Sequence, residues 1–236
     1  MTTPTAPAPS SLTSPAQRVG QLVRETVTDL QRDYLADRPA AVAALARLRR
    51  GAGKTFGEVP EDLWGLIDTG PLHTTPPGAR SLHETELTWA EDAVHTALTL
   101  WALHQQSRGS GMHVCDTRTA PRGLGAAARR LMSPGDVDEP VRKRLVRAGS
   151  APSLPALASR LRDIVLLLRR DDIALDYALL AEQLYQWQQP GGRDAVRRAW
   201  ARSFHAYRRR ADEQPADQAG NSVNADTTTT TDKDAS

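Results

Sequence analysis

Between Ser14 and Arg210, apolar residues recur at intervals of three and four, and the strict alternation of a half-buried strand is nearly absent. This period restricts the chain to helices, because side chains three and four apart share one helix face whereas alternate residues share one strand face. Ser14 and Pro15 form an N-cap and first-turn pair ahead of Val19, Leu22, Val23, Val27, Leu30 and Tyr34, predicting a helix that ends near Asp37. Pro39 opens a second helix with Val42, Leu45 and Leu48 inward, and Gly51 stops it. A short helical segment is expected from Glu61 to Ile67, carrying Leu63, Trp64 and Ile67. Gly70, Pro71, Pro76, Pro77 and Gly78 then mark residues 66–80 as a surface connection.

The longest helix is expected from about His83 to Ser107. Leu87, Ala90, Val94, Ala97, Leu98 and Trp101 form one stripe while Trp89, Leu100 and Leu103 begin another, so this helix is buried on two sides. Glu84, Glu86, Glu91 and Asp92 sit in its early turns, where the macrodipole favours anions. A glycine-containing polar loop follows. Further helices are predicted at about 124–132, 139–148, 154–170, 177–188 and 193–210, with Asp138 and Asp176 as N-caps. Short connections between amphipathic helices favour antiparallel packing. The expected fold is all-α, a bundle of about eight or nine helices in two packed halves, 14–108 and 123–210, joined by a loop at 109–122. Tails at 1–13 and 211–236 lack the apolar residues that offset ordering entropy and are expected to be disordered.

Several function classes lose support at once. Cys115 is the sole cysteine, which excludes an intrachain disulfide and a Cys-rich zinc framework and suits a reducing cytoplasm. The amino-terminal residues do not read as a signal peptide, and no apolar run reaches spanning length, so a cytoplasmic protein without membrane contact is expected. GAGKTFG at 51–57 looks like a phosphate loop, but Leu48 stands where that motif needs glycine, and neither the preceding strand nor the following helix is present in the pattern. His104, His113 and Cys115 are the nearest approach to a metal set, and their spacing does not supply the donors a tetrahedral ion requires. With no serine elbow and no carboxylate pair placed to meet, the reading is of a non-enzyme with no metal and no cofactor.

Charge is the remaining signal. The formal net charge is only +2, from 30 basic against 28 acidic residues, yet lysine occurs only at Lys54, Lys143 and Lys233, and the arginines cluster. From Arg118 to Arg170 the basic residues far outnumber Asp136, Asp138, Glu139 and Asp163. Arg160 and Arg162 have Asp163 and Asp171 as expected ion-pair partners, whereas Arg142, Lys143, Arg144 and Arg147 have few acidic residues after them. The planar guanidinium fork suits phosphate, so nucleic-acid binding is the leading reading, with an acidic protein partner next. The aromatic residues of the last two helices, Trp187, Trp200, Phe204 and Tyr207, stand at core spacing and read as packing.

Four blocks carry a resemblance: ALARLRRGAGKTFGEVPEDLWGLI (44–67), ALTLWALHQQS (97–107) followed by MH (112–113), GLGAAARRLM (123–132) and LDYALLAEQLYQWQQPGGRDAVRRAWARSFHAY (175–207). In this order they resemble the CasB family, small subunits of the type I-E CRISPR surveillance complex Cascade. The resemblance implies an all-helical, non-catalytic subunit, present as two copies beside guide RNA (crRNA) and other Cascade subunits. It also implies basic residues that hold the target strand and stabilise the displaced DNA strand of an R-loop in antiviral defence. The matching positions are Arg47, Arg49, Arg50 and Lys54 in the first block and Arg129 and Arg130 in the third. Charge clustering adds Arg142, Lys143, Arg144, Arg197 and Arg198. Two other classes remain open on the residues alone: a helical DNA-binding transcriptional regulator and a protein-only assembly scaffold.

Overall fold

The computed structural model describes residues 14–56, 65, 67–77, 79–133 and 138–213, with side chains as far as 207. The expected tails, apart from 211–213, and most of the expected 61–67 segment lie outside these residues. Among the described residues there are nine α-helices: α1 (Pro15–Leu35), α2 (Pro39–Leu48), α3 (Gly70–His73), α4 (Glu84–Gln105), α5 (Leu124–Arg130), α6 (Glu139–Gly149), α7 (Leu154–Arg170), α8 (Tyr177–Gln188) and α9 (Gly192–Glu213). The sole β-type pairing among them is an isolated parallel bridge between His113 and Leu175.

The helix starts follow local chemistry. Ser14 accepts a hydrogen bond from the Gln17 backbone while the Gln17 side chain accepts from Ser14 N–H, closing a capping box before Pro15. Asp138 caps α6 through Val141 N–H, and Asp176 caps α8 through Leu179 N–H. The end of α2 differs from expectation. A 3-10 turn, Arg49–Gly51, continues the helix, and the left-handed residue is Gly53 at φ 89°. Gly51 is required for a different reason: a β-carbon there would meet Thr99 at 2.9 Å and His95 at 3.2 Å, so the missing side chain lets the turn settle on α4.

α4 is the central element. Every residue from Ala93 to Gln105 is buried, in keeping with the two apolar stripes, because α1, α7 and α8 surround it. α1 packs chiefly on α8, α5 on α9, and α6 on α7. Residues from both halves of the chain therefore join one core cluster, from Val19 and Val23 through Trp101 to Leu161, Leu184 and Trp200.

The connections are tied down by buried side chains. Arg18 is buried in α1 and donates to the carbonyls of Leu72, Thr74 and Arg80, pinning the 70–80 connection, within which the short α3 forms. The 107–122 loop is held likewise. Gln31 Oε1 accepts from His113 N–H, Gln105 Oε1 accepts from Met112 N–H, and Leu175 exchanges backbone hydrogen bonds with Met112 and Val114. Its backbone groups thus find partners without secondary structure of its own.

Candidate nucleic-acid interface

The first group of predicted contacts surrounds the turn after α2. Arg47, Arg49, Arg50 and Lys54 are all exposed there, and Arg47, Arg49 and Lys54 form no ion pair among the described residues. Gly53 lies against α7, where a β-carbon would come within 2.9 Å of Arg162 Cδ. The fold thus adds Arg162 to this cluster. The expected pairing of Arg162 and Arg160 with Asp163 or Asp171 does not form: Asp171 is held by Arg170, and Arg160 donates to the Arg147 carbonyl. Lying two residues apart on α7, Arg160 reaches α6 while Arg162 reaches the 51–54 turn. Their place within the positive stretch from Arg118 to Arg170 was the available signal, and local pairing rules obscured it.

The second group lies on α6 and α9. Lys143, Arg144 and Arg147 are exposed and without ion pairs among the described residues. Arg142 departs from the reading of few partners, because its fork donates twice to Glu139, each at 3.0 Å. Arg197 is similarly bound to Asp194 at 2.8 Å, whereas Arg198 is exposed and without an ion pair among the described residues. Both pairs are solvent-exposed and of the weak i,i+3 kind, so an incoming phosphate can displace the carboxylate. α6 and α9 meet where the Arg197 stem crosses Gly149: a β-carbon on that glycine would lie 3.3 Å from Arg197 Cγ. Arg147, Arg160 and Arg197 thereby come from three helices that meet at the end of α6.

The third group splits. Arg129 is only 2% exposed and its guanidinium turns inward, donating to the carbonyls of Met132 and Ser133 beyond the end of α5. It serves these free carbonyls and is not placed for contact with a surface strand. Arg130 is half-buried. Burial, followed by the nearby charge of Arg122, lowers the Arg130 pKa from its usual value. Trp187, Trp200 and Phe204 are buried in the core, in line with the packing reading, and Trp200 Nε1 donates to Gln183 at 2.6 Å.

The three candidate metal ligands have other positions. His104 Nδ1 lies 2.8 Å from the Tyr177 hydroxyl, His113 Nδ1 accepts from Tyr177 N–H, and Cys115 is exposed. Among the described residues no group of three His, Cys, Asp or Glu side chains is arranged to hold a metal ion. Burial drives the pKa of His104 down to about 3 and that of His95 to about 4, so both are neutral packing groups at ordinary pH.

Comparison with known proteins agrees with the blocks read from sequence. Residues 44–205 match the family described as CRISPR-associated protein Cse2. The chain is 51% identical to CasB from Thermobifida fusca, over 80% of this chain and 98% of that one, with a TM-score of 0.68. CasB from M. ruber is 23% identical over 83% of this chain and 97% of that one, with a TM-score of 0.53. A chain of a CRISPR RNA-guided surveillance complex is 19% identical over 83% of this chain and 98% of that one, at a TM-score of 0.56. The last two likenesses are of fold alone. No match is found among curated proteins.

Proposed function

The chain belongs to the CRISPR-associated Cse2 family, also called CasB, and from that premise we propose that it is a non-catalytic small subunit of a type I-E surveillance complex that holds nucleic-acid backbone. The observation that carries this reading is the exposed basic surface of α6, where Lys143, Arg144 and Arg147 have no ion-pair partner among the described residues. It adjoins Arg160 of α7 and Arg197 of α9. α7 links it to the turn bearing Arg49 and Lys54 through Arg162.

Such a surface acts through charge and placement. Replacing a DNA duplex by a guide–target duplex is a nearly balanced exchange, so modest contacts to the phosphates of either strand shift it toward the open state. Each neutralised phosphate releases counterions, which makes the contribution steeply salt-dependent and nearly blind to base identity. A rigid helical frame keeps the arginines placed before binding, and anchoring in an assembly raises the effective concentration of contacts that are weak in the isolated chain. The partners are guide RNA, target and displaced DNA strands, the other subunits and a second copy of the chain, in a cytoplasmic setting.

The test is charge reversal of Lys143, Arg144 and Arg147 to glutamate in the assembled complex, followed by R-loop yield and lifetime at moderate salt. Lifetime should fall at least about tenfold, equivalent to roughly 1.4 kcal/mol. Unchanged yield and lifetime, with assembly intact, would overturn the assignment of this surface.

A further inference from the structure

We infer that the cavity bounded by the start of α5 and the facing sides of α8 and α9 receives a single unstacked nucleobase. This adds one base contact to the backbone contacts proposed above, and it rests on that reading for the strand that delivers the base. The residues lining the cavity were not among the contacts read from sequence.

The cavity has a volume of about 290 Å³, and its walls meet at Gly123, the N-cap residue of α5. A β-carbon there would lie 3.2 Å from Leu179 Cδ2, 3.6 Å from Ser203 Oγ and 3.8 Å from Asp116 Oδ1, so the glycine leaves open the space that these three residues surround. Leu124, Leu179 and Trp200 make the walls largely apolar, and exposed Thr117 and Arg118 stand at the mouth. Arg202 is also exposed, three residues after Ala199 and four before Ala206, and so shares the side of α9 on which these two line the cavity. Neither Arg118 nor Arg202 forms an ion pair among the described residues. The space falls just below the roughly 300–1,000 Å³ of sites for drug-sized ligands, which suits one ring system.

Gln183 supplies the decisive group. It is only 9% exposed, and its Oε1 accepts from Trp200 Nε1–H at 2.6 Å. An indole nitrogen only donates, so the amide cannot be turned round and Nε2 is the end left over. Gln183 Nε2 has no hydrogen-bond partner among the described residues, yet it is not sealed from solvent as Trp187 Nε1 is, and the cavity that Gln183 lines is its outlet. Ser203 Oγ accepts from Ala126 N–H at 3.2 Å and keeps its own proton to donate. The Asp116 carboxylate is already engaged by the backbone N–H groups of Arg122 and Gly123. A hydrocarbon side chain in this space would leave the amide and hydroxyl donors unpaired. A phosphate among Leu124, Leu179 and Trp200 would lose its hydration while Arg118 stays outside at the mouth. A base meets both demands: its faces are apolar enough for the walls, its edge carbonyls accept from Gln183 and Ser203, and its phosphates remain outside with Arg118 and Arg202. Thymine and uracil carry ring carbonyls that suit these donors, and adenine carries none.

The experiment uses the full chain and two probes: an oligothymidylate carrying 4-thiothymidine, and an otherwise identical strand whose central residues are abasic. The unsubstituted chain should bind the thymine-bearing strand at least about fivefold more tightly than the abasic one at equal salt. Photocrosslinks mapped by mass spectrometry should fall within residues 116–124, 179–183 or 199–206. Gln183→Glu keeps the acceptor for Trp200 Nε1 and removes the donor, so it should abolish the preference for the thymine-bearing strand and leave abasic binding nearly unchanged. Arg118→Gln should weaken both strands alike and reduce the salt-dependence slope by about one. Equal affinity for the two strands, with crosslinks confined to α6 and the 47–54 turn, overturns the base site whether or not the variants fold, and the proposed backbone role stands. If base removal changes nothing and Gln183→Glu instead releases the subunit from the assembled complex, the cavity seats a protein segment and the assignment is overturned. Absence of both binding and crosslinks removes this site together with the nucleic-acid reading.

Discussion

α4 and α6 use helical sequence in opposite ways. α4 is enclosed from Ala93 to Gln105, including Trp101 and the polar His95, Thr96, Thr99, His104 and Gln105. α6 buries only Val141, Leu145, Ala148 and Gly149 and leaves its charged face, and even Val146, in solvent. In α4 each side chain is constrained by neighbours on several helices, so its chemistry is subordinated to fit. In α6 the stripe of four small and apolar residues provides attachment, and the remaining positions are available for recognition.

The largest effect that breaks this comparison is expected from Trp101→Ala. It should cost roughly 3–5 kcal/mol in a denaturant titration, because the indole is fully buried and its neighbours cannot collapse into the space. A loss below about 1 kcal/mol would contradict the central role given to α4.

A smaller, pH-dependent effect follows from the buried histidines of α4. Burial lowers the folded-state pKa of His95 to about 4 and of His104 to about 3, so the unfolded chain takes up protons first as pH falls. Stability is then fully present above the unfolded-state value of about 6.5 and declines below it by up to about 1.4 kcal/mol per pH unit for each histidine. The decline ends near the folded values. His104→Asn should lessen the slope between pH 6 and 4, as measured by thermal unfolding. An unchanged slope would show that His104 is protonated without unfolding.

The smallest effect on stability sharpens the other side. Arg144→Ala and Lys143→Ala should each shift stability by no more than about 0.5 kcal/mol, as expected of exposed side chains that form no ion pair among the described residues. A loss near that of Trp101→Ala would mean that α6 is part of the frame rather than a surface carried by it.

Much of the fold was legible because local rules and tertiary packing agree. The apolar period of α7 and α8 and the caps at Asp138 and Asp176 locate helices that the structure retains. Where packing supplied a reason of its own, the reading moved: Gly51 is needed for approach to α4, and Gln31 and Gln105 organise a loop that has no helical pattern. The candidate site was less legible. Arg129 and Arg130 are adjacent in sequence, yet one is enclosed and turns to free carbonyls inside the fold while the other is only half-buried. Arg162, read as one member of a local pair, lies instead against Gly53, more than a hundred residues earlier in the chain.

The sequence by itself determined that this chain folds as helices, where most of them begin and end, and that it carries an excess of arginine in its second half. These properties depend on residues within a few positions of one another. Only the tertiary structure decided which arginines face solvent, which are enclosed, and which come together from different helices. A guanidinium can satisfy its donors on a carboxylate, a phenol, a helix-end carbonyl or a phosphate, and the choice depends on what the fold places within reach of its long stem.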